Sequence, residues 1–343
     1  MATKNELRTL FKAAICPADP TKFSAVEAND AAINAILETY DLKDASPREI
    51  RARQHEVFAL MEEVIEEQLP AAINDVIGGY AETKTYARDA ETVFELKNLG
   101  KRRARLGITE GARGGVYKAR RLDSKSFQVT TKVWTVGVFV TLEDLLLGNY
   151  SLAELMSNVR DGFVEKIYVE TVKALRTAKT LAPGANIGEG NGFIGTTVDK
   201  LISIANQYGQ AIIMGFRPAI SKINNGAGWA NTPNITGADN DDIRNRGFVT
   251  VYKGTPVVEL PNYLTNESNS EWVFKAGDMF ILPAASKPVK VAMKGDLTIV
   301  EDPHPSGSVE QNAHRMMGIG LALCNDVCVY TDLEVQGADK GLY

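Results

Sequence analysis

A chain of 343 residues is long enough for two or three compact units, and 44% hydrophobic with 24% charged residues is a globular composition that excludes disordered and collagen-like classes. The net charge of -5 argues against a surface that grips nucleic acid throughout, so any basic role has to be regional. No stretch approaches the roughly 20 apolar residues that span a bilayer, the opening MATKNELRTLFKAA lacks a signal-peptide core, and Cys16, Cys324 and Cys328 form no disulfide framework, so a cytoplasmic protein with no membrane partner is expected.

The first 80 residues carry helix signals. TKNE at residues 3–6 and SPRE at residues 46–49 read as capping boxes, the second with proline at the first helical position, where its missing N–H costs nothing. Ile50, Val57, Phe58, Met61, Val64, Ile65 and Leu69 then recur at helical spacing, and the pattern resumes past Pro70 until Gly78. One long amphipathic helix is predicted, with a kink at Pro70.

A basic connector, KNLGKRRARLG, leads into GARGGVYKARRLDSKSFQVTTKVWTVG. Two alternating runs, residues 116–121 and 127–136, flank the polar break LDSKS and predict a long hairpin. Lys118 and Arg120 share one face while Tyr117 and Arg121 share the other, so neither side is apolar enough to lie on a core, and the hairpin is expected to project. Its Arg113, Tyr117, Lys118, Arg120, Arg121, Lys125 and Lys132 permit a nucleic-acid ribbon, a phosphate loop or an arm onto another subunit. A basic arm on an acidic body fits best as one reaching an acidic patch of a sibling subunit.

TLEDLLLG predicts a short helix, and a third capping box, Ser151 with Glu154, opens a long one. Leu152, Leu155, Met156, Val159, Phe163, Ile167 and Leu175 trace one face before Pro183 and Gly184 stop it, giving a beam of about 45 Å. Beyond residue 197 the pattern shortens: a helix to Tyr208, the buried-strand run AIIMG, a helix with Pro218 near its start, and a polar loop over residues 224–245. Strands follow at 248–252, 256–260 and 279–282, then at 289–293, 297–300 and through the run MMGIGLALCNDVCVYTDLE.

Motifs for chemistry are weak. GNGFIG at residues 190–195 has the G-x-G-x-x-G spacing, but a loop is expected to enter it and no acid stands about twenty residues on, so it reads as a hinge loop. Cys324 and Cys328, with His304 and His314 upstream, lack the tight pairs of zinc sites. Glu301 and Asp302 sit in a proline-rich stretch expected to be an exposed turn. No Ser/His/Asp order, H-E-x-x-H pair or Walker loop occurs, so no catalytic residue, cofactor or metal site is expected.

The succession GGVYKARRLDSKSFQVTTKVWTVGVFVTLEDLLLG, SLAELMSNVRDGFVEKIYVETVKAL, VYKGTPVVELPN and KPVKVAMKGDLTIVEDP resembles the major capsid protein of tailed bacteriophages, the Hong Kong 97 fold, over about residues 90–335. The resemblance implies an α+β fold: a helical N-terminal arm (1–80), a basic connector (81–105), an extended hairpin loop (106–140), a peripheral domain with the spine helix (141–189), an axial domain (190–288), returning peripheral strands (289–335) and a tail (336–343). It further implies self-assembly into hexamers and pentamers of an icosahedral shell, assembled in a host cytoplasm, with portal and scaffolding proteins as partners. Double-stranded DNA would be packaged inside without sequence-specific contact. The hairpin residues would touch the adjacent subunit. An encapsulin-like cellular compartment shares the fold, and a nucleic-acid-binding module using the hairpin is the alternative of another class.

Overall fold

The computed structural model describes residues 9, 25–40, 47–96, 125–139, 152–225, 237–284, 287–303, 309–322 and 325–338. Helix α1 (Ala25–Thr39) precedes α2 (Pro47–Ile77), a single helix of 31 residues that contains Pro70 and carries Glu49 in its first turn, where the helix dipole favours a carboxylate. Val57, Met61, Val64, Ile65 and Leu69 are buried as the spacing predicts, joined by Leu60, Ile73 and Ile77. Two strands follow within the expected connector: β1 (Ala81–Tyr86) and β2 (Val93–Leu96).

The expected second hairpin strand is split. Residues 129–131 carry no strand, leaving β3 (Lys125–Gln128), which pairs antiparallel with β2, and β4 (Lys132–Phe139). The reason is packing: Trp134 and Val136 rest against the main core, so β4 belongs to the body. The expected partner run 116–121 and the short helix of TLEDLLLG lie outside the described residues.

The beam is α3 (Leu152–Leu181), 30 residues long. Next come β5 (Ile187–Gly190), α4 (Gly195–Asn206), β6 (Ala211–Phe216), α5 (Arg217–Ser221) and α6 (Gly237–Arg246), the last inside the stretch expected to be a loop. Strand β7 is only Val251–Tyr252, and β8 (Thr255–Leu260) and β9 (Asp278–Pro283) fall where predicted. The runs at 289–293 and 297–300 are one strand, β10 (Val289–Pro303), with a register shift between Lys294 and Thr298. Glu301 and Asp302 are therefore strand residues opposite Gln311 and Glu310 rather than part of a turn. The long C-terminal run divides into β11 (Val309–Leu321), β12 (Cys328–Asp332) and α7 (Leu333–Ala338).

Four strands form one sheet in the order β1-β10-β11-β4, and six form another in the order β5-β12-β9-β6-β8-β7. Strand β12 thus leaves the other C-terminal strands and joins the six-stranded sheet, pairing with β5 and β9. Successive side chains on a strand point to opposite faces. On the six-stranded sheet, Met214, Phe216, Phe280, Leu282 and Val329 face one core with α2, α3 and the four-stranded sheet. Ile213, Met279, Ile281, Cys328 and Tyr330 face a second core under α4. Burial on both faces explains the unbroken apolar runs AIIMG and MFIL. The architecture is α+β, with the beam lying where both sheets meet.

Candidate functional site

On α3, Met156, Val159, Phe163, Ile167 and Leu175 are all buried, so the face read from sequence is the face that packs. Leu152 and Leu155 lie on the helix, outside the residues whose side chains are described. The sequence reading missed Tyr168, which is fully buried, donates its hydroxyl to the Pro261 carbonyl and meets Tyr263 edge-on at 5.6 Å. It also missed the polar join at the C-terminal end of the beam. Arg176 Nε donates to Asp278 Oδ2 at 2.7 Å, and Lys179 Nζ and Thr331 Oγ1 donate to Oδ1 at 2.6 and 3.0 Å. Asp278 is wholly buried, so this cluster clamps the beam onto β9 and β12.

A second join links α2 to the four-stranded sheet. Glu62 accepts the Ile299 N–H just beyond the β10 register shift, where the ladder is interrupted. Arg315, 2% exposed, donates to Glu66 Oε1 at 3.3 Å. Burial raises both carboxyls above their usual range and lowers the guanidinium.

The root of the expected arm is a ribbon, β2 with β3, held by a small cluster of its own: Phe94, Val129 and Ala292 with Tyr86 and Phe127 against it. Phe94 is buried beneath two cations, Lys84 at 5.0 Å and Lys290 at 5.9 Å from its ring centre. Lys290 and Lys84 both pair with Glu82, and the hydroxyl of Tyr86 donates to the Val93 carbonyl at 2.7 Å. Lys125 pairs through its backbone with Leu96, and Lys132 stands exposed at the start of β4 opposite Met317. Arg113, Tyr117, Lys118, Arg120 and Arg121 lie outside the described residues.

GNGFIG departs from its reading. Strand β5 enters it and α4 leaves it, which is the strand-turn-helix context of a phosphate loop. Two of its backbone donors are nevertheless already taken. The Gly192 N–H donates to Asp332 Oδ1 at 3.0 Å and the Ile194 N–H to the Tyr330 hydroxyl at 3.0 Å, while that hydroxyl donates back to the Gly192 carbonyl at 2.5 Å. Phe193 packs edge-on to Tyr252 and Tyr330. The buried Asp332 carboxylate takes the Gly192 amide, and together with Tyr330 it pins the turn, which the sequence reading expected to be a hinge.

His314 Nδ1 lies 2.7 Å from Thr135 Oγ1 across the β11–β4 pair, and Cys328 is buried in β12 with its thiol pushed up to about 12, first by burial and then by the charge of Asp326. Cys324 and His304 lie outside the described residues. Among those residues no three His, Cys, Asp or Glu side chains gather to hold a metal, and no helix is long and apolar enough to cross a membrane.

The family described as "SPbeta prophage-derived putative capsid protein YonB" matches residues 6–322. The chain belongs to that family of phage capsid proteins. Solved structures similar to this capsid-family chain include the mature capsid of bacteriophage PhiM1, with a TM-score of 0.47 and 11% identity over 74% of this chain and 85% of that one. Microbacterium phage Oxtober96 gives a TM-score of 0.48 at 11% identity, over 75% and 90% of the two chains. The SrpI encapsulin of Synechococcus elongatus gives 0.37 at 9% identity, over 73% and 85%. No curated protein sequence matches the chain.

Proposed function

We propose that this chain is the shell-building subunit of a phage head with the Hong Kong 97 arrangement, and that it acts structurally rather than as an enzyme. Copies assemble into hexamers and pentamers that close an icosahedral shell around double-stranded DNA, with portal and scaffolding proteins as further partners. The family match over residues 6–322 carries the reading. The element order supports it: a helical arm, a ribbon at the root of a basic segment, a 30-residue spine and a six-stranded axial unit. The segment 106–124 serves as the arm onto the adjacent subunit, through Arg113, Tyr117, Lys118, Arg120 and Arg121. Closed shells need repeated contacts between different patches of one chain, and an arm of one charge on a body of the other provides them. Size-exclusion chromatography of the purified chain, followed by negative-stain microscopy, tests this. Particles or ring-shaped capsomers are expected, and a small monomer that retards oligonucleotides would favour the nucleic-acid module instead.

A further inference from the structure

We propose that Gly318 and Gly320 are positioning residues for shell assembly. They form a trough in β11 that fixes the direction in which the β2–β3 ribbon leaves the four-stranded sheet, and with it the arm that reaches a second copy of this chain. The inference rests on the shell-building reading above.

The two faces of β10 and β11 differ in kind. Toward the helices stand Val291, Met293, Met317 and Ile319, all in the main core or packed against it. On the opposite face the cross-strand partner of Gly318 is Ala292 and that of Gly320 is Lys290, whose ammonium reaches away to Glu82 and the Phe94 ring, so Gly318, Gly320 and Ala292 leave a shallow hollow on that face. The chain between β3 and β4 lies in this hollow. A methyl at Gly318 would stand 2.4 Å from the Thr130 carbonyl oxygen, and one at Gly320 would stand 2.9 Å from Cε1 and Cζ of Phe127. The first obstacle is main chain and has to lift; the second is a side chain that can be shortened.

What rests in the trough is the ribbon's anchorage. The Val129 N–H donates to the Thr92 carbonyl at 3.0 Å, and Thr92 Oγ1 donates back to the Val129 carbonyl, tying the two strands of the ribbon together at the end that meets the crossing point. Each ribbon strand has four residues, and a two-stranded ribbon of that length is marginal unless it packs on something. Its packing is the cluster of Phe94, Val129 and Ala292, separate from both main cores. Filling the trough therefore tilts or frees the ribbon while the body stays folded. A tilted arm is carried to every subunit boundary of a shell, where displacement at the root grows along its length.

Gly318→Ala, Gly320→Ala, Phe127→Leu and the two combinations of each glycine variant with Phe127→Leu decide the matter. Both single alanine variants should lose closed shells while the melting temperature of unassembled subunits stays near the parent's. Phe127→Leu should restore shells to Gly320→Ala and not to Gly318→Ala, a pattern that general destabilisation does not produce. Hydrogen exchange supplies a readout independent of assembly: the Val129 amide should exchange at least about tenfold faster in Gly318→Ala, with β9 and β12 unchanged. Normal shells from both alanine variants, or shell loss that follows melting temperature without rescue, would overturn the proposal. If the parent chain forms no shells, the shell-building reading fails by itself, and an unchanged Val129 amide in Gly318→Ala then overturns the trough's role in holding the ribbon.

Discussion

Lys179, in the last turn of the beam, places its Nζ 2.6 Å from Oδ1 of the wholly buried Asp278, which Arg176 grips from the other oxygen. The pair of cations lets one carboxylate at the start of β9 sit inside the protein, and it joins α3 to the six-stranded sheet. Removing one member of a buried ion pair costs about 3–5 kcal/mol because a charge is left without its partner. Arg176 and Lys179 keep side-chain exposures of 14% and 24% and can turn to water, so Asp278→Ala should cost about 3 kcal/mol. Thermal melting of unassembled subunits should show a fall of several degrees, and an unchanged midpoint would mean the clamp contributes nothing.

Phe163 and Ile167 each have 1% of their surface exposed, against the sheet side of the beam. Aspartate at either position buries a carboxylate without a partner and should cost about 4 kcal/mol or more. The variants should be recovered as insoluble protein. Soluble, normally assembling variants would contradict the packing of α3.

The pinned turn at residues 190–195 gives a negative expectation. The Gly192 and Ile194 amides of this turn already donate to Asp332 Oδ1 and to the Tyr330 hydroxyl, so neither is free for a phosphate. Calorimetric titration with NAD or ATP should give no saturable heat. Asp332→Ala should lower the melting temperature, at about 1–3 kcal/mol for orphaned buried donors, without creating nucleotide binding. Micromolar binding by the parent that disappears in Gly192→Val would restore the dinucleotide reading.

Acid should act through Glu82. Burial raises its carboxyl, but hydrogen bonds and charges from Lys290 and Lys84 outweigh that and hold it below the usual 4.5. A lowered folded pKa gives stability that is complete above the unfolded value and lost as pH falls through the folded one. Glu62 and Glu66, raised by burial, act oppositely: they favour folding at low pH, and that contribution is lost as pH rises through their folded values. The gap in melting temperature between the parent and Glu82→Gln should thus be full at neutral pH and close as pH drops below 4.5. A gap that widens on acidification would contradict the assignment.

What the sequence discloses depends on how far apart the cooperating residues lie. The α3 face is readable because Met156, Val159, Phe163 and Ile167 repeat at helical spacing, which tertiary packing preserves. The clamp is not, because Asp278 lies 102 and 99 residues from Arg176 and Lys179 and looks like an ordinary strand-end acid. Strand β1 hides for a similar reason: AETKTY has little apolar content and owes its conformation to parallel pairing with β10, about two hundred residues on. The alternation of residues 127–136 is real, but it spans two strands in different sheets, because Trp134 and Val136 pack on the main core while Val129 and Thr130 cross beside the glycines of β11, contacts no local pattern reveals.

Negative-stain microscopy of the purified chain beside its Arg120→Glu/Arg121→Glu variant tests the central claim most directly. Exposed ion pairs are worth about 0–1 kcal/mol within a subunit, so the variant should keep the circular dichroism and melting temperature of unassembled parent subunits. Like charges placed at every subunit boundary cost several kcal/mol per contact, so the parent should form closed shells and the variant none. Intact shells from the variant would contradict the arm, and a parent that stays monomeric under all assembly conditions would contradict the shell-building account itself.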